Sequence, residues 1–323
     1  MIDPAPPRAP LQPLLLPLEL SDTPPPAAPA PRARRPGRHA GNAGKHPRNT
    51  LNELSGEAWV FFTKSVITTT FPSDYGHRRR KAHGANKPPQ LMKWLIEFFT
   101  PAGGRVLDPF AGVGGTLIGA AIADPPRECV GIEINSQWTA IYRQVVAESG
   151  GALAAFPVHQ GDSLTLLADG ERFPDESFDF VCTDPPYNVH LEQTMANDPR
   201  YVDGHANRRT DYNMRSDHAG DLANLPNYAA YLEAMQRVLR QCYRVLKPDK
   251  YLAIILRDAY QRGRYVFTHV DVTRRAEAEG FVAKGETIWY QAGARLRPYG
   301  YPFAYIPNIV HQHIVFLHKP RKR

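Results

Sequence analysis

Cysteine is scarce, with three in 323 residues (Cys129, Cys182 and Cys242), each in or beside an apolar run. That excludes a disulfide framework and a cysteine-built metal cluster, and it sets the expectation of a reducing, cytoplasmic location. Long hydrophobic runs are missing as well. Leu11 to Leu20 is leucine-rich but short, broken by Pro13 and Pro17 and preceded by Asp3 instead of a basic cluster. It reads poorly as a signal peptide and is too short to span a bilayer. No Gly-Lys-Ser/Thr loop occurs, which removes Walker-type nucleotidases. There is no internal repeat and no zinc-ligand spacing. The histidines are scattered, His311 and His313 are expected to face opposite sides of a strand, and no metal is expected.

What the chain does have is basic charge: 39 Lys and Arg against 32 acidic residues, a net +7, with 42% apolar residues to build a core. A polyanionic partner follows as an expectation. Residues 1–50 form a Pro/Ala/Arg tail, with Pro24-Pro25-Pro26 and Arg32, Arg34, Arg35 and Arg38. That composition predicts disorder. Order is expected from 51 to 318, with a basic tail at 319–323. Ala58–Phe62 and Ser65–Phe71 read as apolar or β-prone segments. The run from His77 to Gly84 reads as a basic loop, and Arg78, Arg79 and Arg80 in it are candidates for phosphate contact. Residues 188–226 are polar and carry Arg208 and Arg209 among aromatic residues, and residues 295–307 are rich in Tyr, Pro and Arg. Both are candidate target-recognition loops, because basic and aromatic side chains together suit phosphates and unpaired bases.

Between these segments strands and helices alternate, the pattern of a mostly parallel sheet covered on both faces. Lys87-Pro88-Pro89-Gln90 opens an amphipathic helix through Phe99. Arg105–Asp108 is a buried strand that runs into a sharp turn, Pro109-Phe110-Ala111-Gly112-Val113-Gly114-Gly115, and a helix from Thr116. Glycines let a ligand approach the backbone closely, and the helix start offers free amides. The next strand ends in Glu133, at the spacing where a carboxylate meets ribose hydroxyls in nucleotide folds. The glycine spacing differs from Gly-x-Gly-x-x-Gly, which favours adenosine with a sulfonium tail over a dinucleotide. Asp162 follows a third strand, where an adenine amino group could be bound. Phe178-Asp179-Phe180-Val181-Cys182 is a further strand, closed by Thr183-Asp184-Pro185-Pro186-Tyr187. Two prolines forbid more ladder bonds and stiffen the turn, so Asp184 and Tyr187 are held at a strand's carboxyl end. Tyr228–Leu246 reads as a helix ended by Lys247-Pro248-Asp249, followed by a strand, a helix and an antiparallel strand pair.

The pair Asp108-Pro109-Phe110-Ala111-Gly112 and Asp184-Pro185-Pro186-Tyr187 resembles motifs I and IV of the S-adenosylmethionine-dependent DNA amino-methyltransferase family, and Lys87-Pro88-Pro89 resembles its motif X. The resemblance spans about Phe71 to Leu317. It implies a Rossmann-like methyltransferase fold, α/β, with a mostly parallel seven-stranded sheet and an antiparallel last strand. It implies S-adenosylmethionine as cofactor, held by Lys87, Asp108, Pro109, Phe110, Ala111, Gly112, Gly114, Thr116, Glu133 and Asp162. Asp184, Pro185, Pro186 and Tyr187 become the catalytic set: Asp184 and the Pro185 carbonyl accept hydrogen bonds from a target amino group, and Tyr187 stacks on a base flipped out of DNA. Asp at the first motif position leans toward adenine N6, with cytosine N4 close behind. The Pro-Cys nucleophile loop of cytosine carbon methylation is lacking. An RNA guanine-N2 methyltransferase is the alternative in the same chemistry, and a non-catalytic nucleic-acid-binding scaffold the alternative of another class.

Overall fold

The computed structural model describes residues 44–72, 74–187, 216–294 and 296–321. Its strands are β1 (Val66–Ile67), β2 (Arg105–Asp108), β3 (Glu128–Glu133), β4 (Val158–Gln160), β5 (Phe178–Thr183), β6 (Leu246–Leu256), β7 (Ala259–Gln261), β8 (Arg264–Val266), β9 (Val282–Tyr290) and β10 (His311–Lys319). Its helices are α1 (Gly56–Phe62), α2 (His77–Arg80), α3 (Pro89–Phe99), α4 (Gly115–Ala121), α5 (Ser136–Glu148), α6 (Ser163–Leu167), α7 (Tyr228–Val245) and α8 (Thr268–Ala278).

Successive residues of the central strands point to opposite faces, and both faces are covered. Val106, Phe180, Cys182, Ala253, Ile255 and Ile314 face one core, built with α1, α3, α4 and α5. Leu107, Val181, Leu252, Ile254, Leu256 and Val315 face the other, built with α6, α7 and α8. This double burial explains why β5 and β6 read as near-continuous apolar runs. The main sheet has the order β1-β9-β10-β6-β5-β2-β3-β4. Neighbours from β4 to β6 pair in parallel, and β10 lies antiparallel to both β6 and β9. The chain lays strands outward in one direction from β2 and in the other from β5. The order therefore reverses between those two, and a ligand crevice is expected beyond their carboxyl ends.

The expected Rossmann-like methyltransferase fold, with its antiparallel last strand, is present. Several local expectations need correction. The sheet has eight strands instead of seven, because the two-residue β1 pairs in parallel with the edge of β9. Ala58–Phe62 is helical: the Ser55 hydroxyl accepts the Ala58 amide as an N-cap, and Phe62 is buried against Phe98. The basic run at 77–84 is α2 followed by a 3-10 turn over Lys81–His83, not an open loop. Lys247-Pro248-Asp249 ends α7 but lies inside β6, in an irregularity where β5 register jumps from Phe178↔Leu246 to Phe180↔Tyr251. The domain starts before residue 51: Lys45 bridges to Ser55, and Asn49 accepts the amides of Leu51 and Asn52 at 3.0 and 3.2 Å. Among the described residues, no helix is long and apolar enough to cross a membrane.

Candidate active site

Asp108, Glu133, Asp162 and Asp184 sit at or just beyond the carboxyl ends of the parallel strands β2, β3, β4 and β5. Asp108 closes β2 and is 3% exposed. One carboxylate oxygen accepts the Thr116 hydroxyl at 2.5 Å, and the other accepts the Thr183 hydroxyl at 2.7 Å and the Phe110 amide at 3.0 Å. The bond to Thr183 ties the ends of β2 and β5 together across the switch point. Burial pushes the Asp108 carboxyl up to about 6, against the opposing pull of these bonds.

The turn after β2 brings the backbone close because its glycines adopt conformations other residues resist. Gly114 has φ +79°, and a Cβ there would lie 2.1 Å from the Tyr142 ring. The Gly112 amide donates to Glu133 at 2.8 Å, and the Asn135 amide donates to the other oxygen of that carboxylate, also at 2.8 Å. Burial pushes Glu133 up to about 7. Pro109 is held through its carbonyl by the Ser163 hydroxyl, Phe110 packs against the core of α6 and α7, and Ala111 is buried with its amide on the Ile132 carbonyl at 2.8 Å. Asp162 caps α6, accepting the Leu164 amide at 3.1 Å and the Thr165 hydroxyl at 2.9 Å. Its two oxygens keep further lone pairs for a donor from outside.

Beyond β5, Asp184 is clamped on both oxygens. The Lys87 ammonium donates to Oδ2, and the Tyr187 hydroxyl donates to Oδ1 at 2.6 Å. The Lys87 side chain is 7% exposed and that of Asp184 17%. Pro185 is buried, while Pro186 and Tyr187 are half-buried. Burial, followed by the Asp184 charge, holds the Tyr187 hydroxyl well above the usual phenol range.

The three arginines expected to touch phosphates separate. Arg78 is exposed. Arg79 pairs on the surface with Glu148, its Nε donating at 2.7 Å. Arg80 is 0% exposed and donates to the carbonyls of Lys87 and Val113 at 2.6 and 3.4 Å. That burial takes it out of the basic surface: it is a bracket for the glycine turn. Arg208 and Arg209 lie outside the described residues, as does most of the 188–226 segment. The part that is described returns to the site, where the Asp162 side chain lies 3.1 Å from the Cβ position of Gly220. Of the 295–307 loop, Leu296, Tyr301, Phe303 and Tyr305 are strongly exposed. The loop joins β9 to β10, and the register of β10 on β6 sets it at the same sheet edge as Asp184.

Some features were not foreseen. His83 packs 3.5 Å from the Cβ position of Gly112 and edge-on to Trp138. Burial first, then the Lys87 and Arg80 charges, lower it to about 4, so it is neutral. His311 and His313 share a face, with ring centroids 4.9 Å apart, as residues two apart in a strand must. His313 stacks on His269 at 3.6 Å with nearly parallel planes, and both adjoin Asp258, at 2.7 Å from His269 and 3.6 Å from His313. Asp258, His269 and His313 each bring one potential ligand atom within 4.8 Å of the others, with the two imidazole rings in nearly parallel planes. Sequence spacing gave no signal for this group because it joins three separate elements.

The fold is that of the Rossmann-like, S-adenosylmethionine-dependent methyltransferases, and the strand-end carboxylates, the glycine turn and the clamped Asp-Pro-Pro-Tyr lie together at its switch point. The family model for N6/N4 DNA methylases matches residues 38–144 and 178–323, and the chain belongs to that family. Among individual proteins, it is 30% identical over 114 residues to tRNA (guanine(10)-N2)-dimethyltransferase of Methanothermobacter thermautotrophicus, covering 35% of this chain and 31% of that protein. The same enzyme of Pyrococcus abyssi is 29% identical, over 35% of this chain and 32% of its own. The match thus spans about a third of the length of these relatives. Similar solved structures include TrmN from Thermus thermophilus, 16% identical with a TM-score of 0.45, covering 76% of this chain and 53% of that one. Another, from the same organism, is a candidate DNA modification methylase solved with S-adenosyl-L-methionine, 25% identical with a TM-score of 0.32, covering 50% of this chain and 54% of that one.

Proposed function

We propose that this protein transfers a methyl group from S-adenosylmethionine to an exocyclic amino group of a base in DNA, adenine N6 ahead of cytosine N4. The observation that carries the reading is the Asp184-Pro185-Pro186-Tyr187 turn at the switch point, with its carboxylate fixed in place beside the glycine turn. The residues present suit the cofactor. Glu133 and Asp162 offer acceptors for the hydroxyl and amino donors of an adenosine, and the glycine turn from Pro109 to Gly114 lies beside Lys87, Asp108 and Thr116 at the same strand ends, where the amino acid part would be held.

When bound, the cofactor supplies an electrophilic methyl group on a sulfonium. What remains for the protein is to position an amine and aim its lone pair. Each oxygen of Asp184 keeps a lone pair beyond those used by Lys87 and Tyr187. These, with the Pro185 carbonyl, accept the N–H bonds of the target amino group and turn its lone pair away from the ring. With its lone pair so aimed, the nitrogen would take the methyl group the cofactor supplies, and its surplus proton would pass to water. Tyr187, fixed to Asp184, offers a ring face to the base. A base in a duplex must leave its stack to reach this edge. The exposed aromatic loop between β9 and β10, at this sheet edge, is read as supplying stacking, and the exposed arginines Arg78, Arg262 and Arg264 as offering phosphate contacts.

The similarity to tRNA (guanine(10)-N2)-dimethyltransferases favours a second reading, guanine N2 in RNA, served by the same acceptor geometry. Asp184→Ala tests the shared chemistry. Methyl transfer is expected to fall below detection while cofactor affinity stays within a few-fold. Loss of cofactor binding together with activity would give Asp184 a structural role instead.

A further inference from the structure

Lys87 opens the segment that resembles motif X, which would make it a cofactor contact. Its surroundings say otherwise. The Lys87 backbone is anchored at the glycine turn: its carbonyl accepts Arg80 Nη2 at 2.6 Å and lies 3.1 Å from where a Cβ on Gly115 would be. From that anchor the buried side chain reaches across to Asp184 Oδ2, with a weaker bond to the Ala85 carbonyl at 3.4 Å. Arg80, which fixes the anchor, is itself buried and reaches the Val113 carbonyl of the same turn at 3.4 Å. The neighbouring His83 is neutral and adds no competing charge. A line of contacts therefore runs from the glycine turn through Arg80 and Lys87 to the Asp184 carboxylate, and it ends where Tyr187 holds the other oxygen.

We infer that Lys87 is a positioning residue for Asp184, not a cofactor anchor. Resting on the amine-acceptor reading of Asp184, the assignment gives the ammonium two tasks. It compensates a carboxylate that is mostly withdrawn from water, and with the Tyr187 hydroxyl it fixes the plane of that carboxylate, so that the free lone pairs point one way. A carboxylate fixed from both sides accepts an amine hydrogen bond in one orientation. One released from Lys87 is free to rotate about its side-chain bonds.

The test measures kcat, KM and the dissociation constant of S-adenosylhomocysteine for K87M, K87R, D184N and K87M/D184N in the full chain. K87M is expected to lose kcat by about 100-fold, the scale of a misplaced reacting group, with the dissociation constant changed less than about threefold. K87R restores about a tenth or more of the activity, and K87M adds nothing to the loss already caused by D184N, the mark of two residues acting as a unit. A tenfold weaker cofactor affinity in K87M with kcat retained would overturn the assignment, as would losses in K87M and D184N that multiply. If K87M does not fold, the K87M/D184N pair, which removes both charges, decides through binding alone: unchanged affinity supports the assignment and a tenfold loss refutes it. Because affinity is measured without a nucleic acid, this arm stands even if the proposed substrate is wrong.

Discussion

Glu133 ties cofactor binding to pH. Burial raises it to about 7, although two backbone amides at 2.8 Å pull the other way. An ionised carboxylate accepts from both ribose hydroxyls, whereas protonation turns one of its oxygens into a donor, so binding favours release of the proton held at lower pH. With one linked proton the apparent dissociation constant is multiplied by one plus the ratio of protonated to ionised forms. For a value near 7 that factor is about 11 at pH 6 and about 1.1 at pH 8, so affinity is expected to be about tenfold weaker at pH 6. Asp108, raised to about 6, adds about a factor of two. The assay is calorimetry with 5′-methylthioadenosine, which has no amino acid group to titrate, at pH values from 5.5 to 8.5. In E133Q the dependence should shrink to the small Asp108 contribution. A wild-type affinity flat across this range, or a tenfold dependence that survives E133Q, would refute the reasoning. The same shifts set the stability of the free protein. The folded state keeps protons that the unfolded chain has lost. The contribution is therefore fully present below the unfolded values near 4.5 and 3.8, and it is lost as pH rises through about 7 for Glu133 and 6 for Asp108.

Gly119 on α4 faces α3 so closely that a Cβ would lie 2.7 Å from Met92 Cβ and 2.9 Å from the Lys93 amide. Gly119→Ala should cost about 1–3 kcal/mol by overpacking, read as a lower Tm; an unchanged Tm would show that the helices separate freely. Removing residues 1–43 should leave melting unaltered, whereas removing 1–50 takes Asn49 from the turn that presents Asn52 to the Phe98 carbonyl and should lower it. Equal melting of the two truncations would contradict this boundary. The triple variant Y301A/F303A/Y305A should weaken nucleic-acid affinity at least tenfold, since stacking contributes about 1–3 kcal/mol per base, with S-adenosylhomocysteine affinity unchanged. Unaltered nucleic-acid affinity would remove the loop from the interface.

The parallel sheet was legible because burial on both faces writes itself as apolar runs such as Phe178–Cys182, and strand ends are marked by Asp108, Glu133 and the Asp184-Pro185-Pro186 stop. Short elements were less legible. Ala58–Phe62 has the aromatic content of a strand, and only the Ser55 cap and the packing of Phe62 on Phe98 make it helical. The edge strand β1 exists because β9 offers it a partner, which no local pattern encodes. At the site, motif spacing located the carboxylates but not their partners. That Arg80 is buried while Arg78 is exposed depends on the turn that places one of three consecutive arginines inward. The contact of Lys87 with Asp184 joins residues 97 positions apart, and the Asp258–His269–His313 group joins three elements that only the sheet and α8 bring together.

Nucleoside mass spectrometry of unmethylated DNA and of bulk RNA, each incubated with the protein and S-adenosylmethionine, tests the central claim most directly. The account predicts N6-methyladenine, or failing that N4-methylcytosine, in the DNA, and none with Asp184→Ala. N2-methylguanine confined to the RNA would move the substrate to the second reading. No methylated base in either, from a protein that binds the cofactor, would contradict the claim that this site methylates nucleic acid.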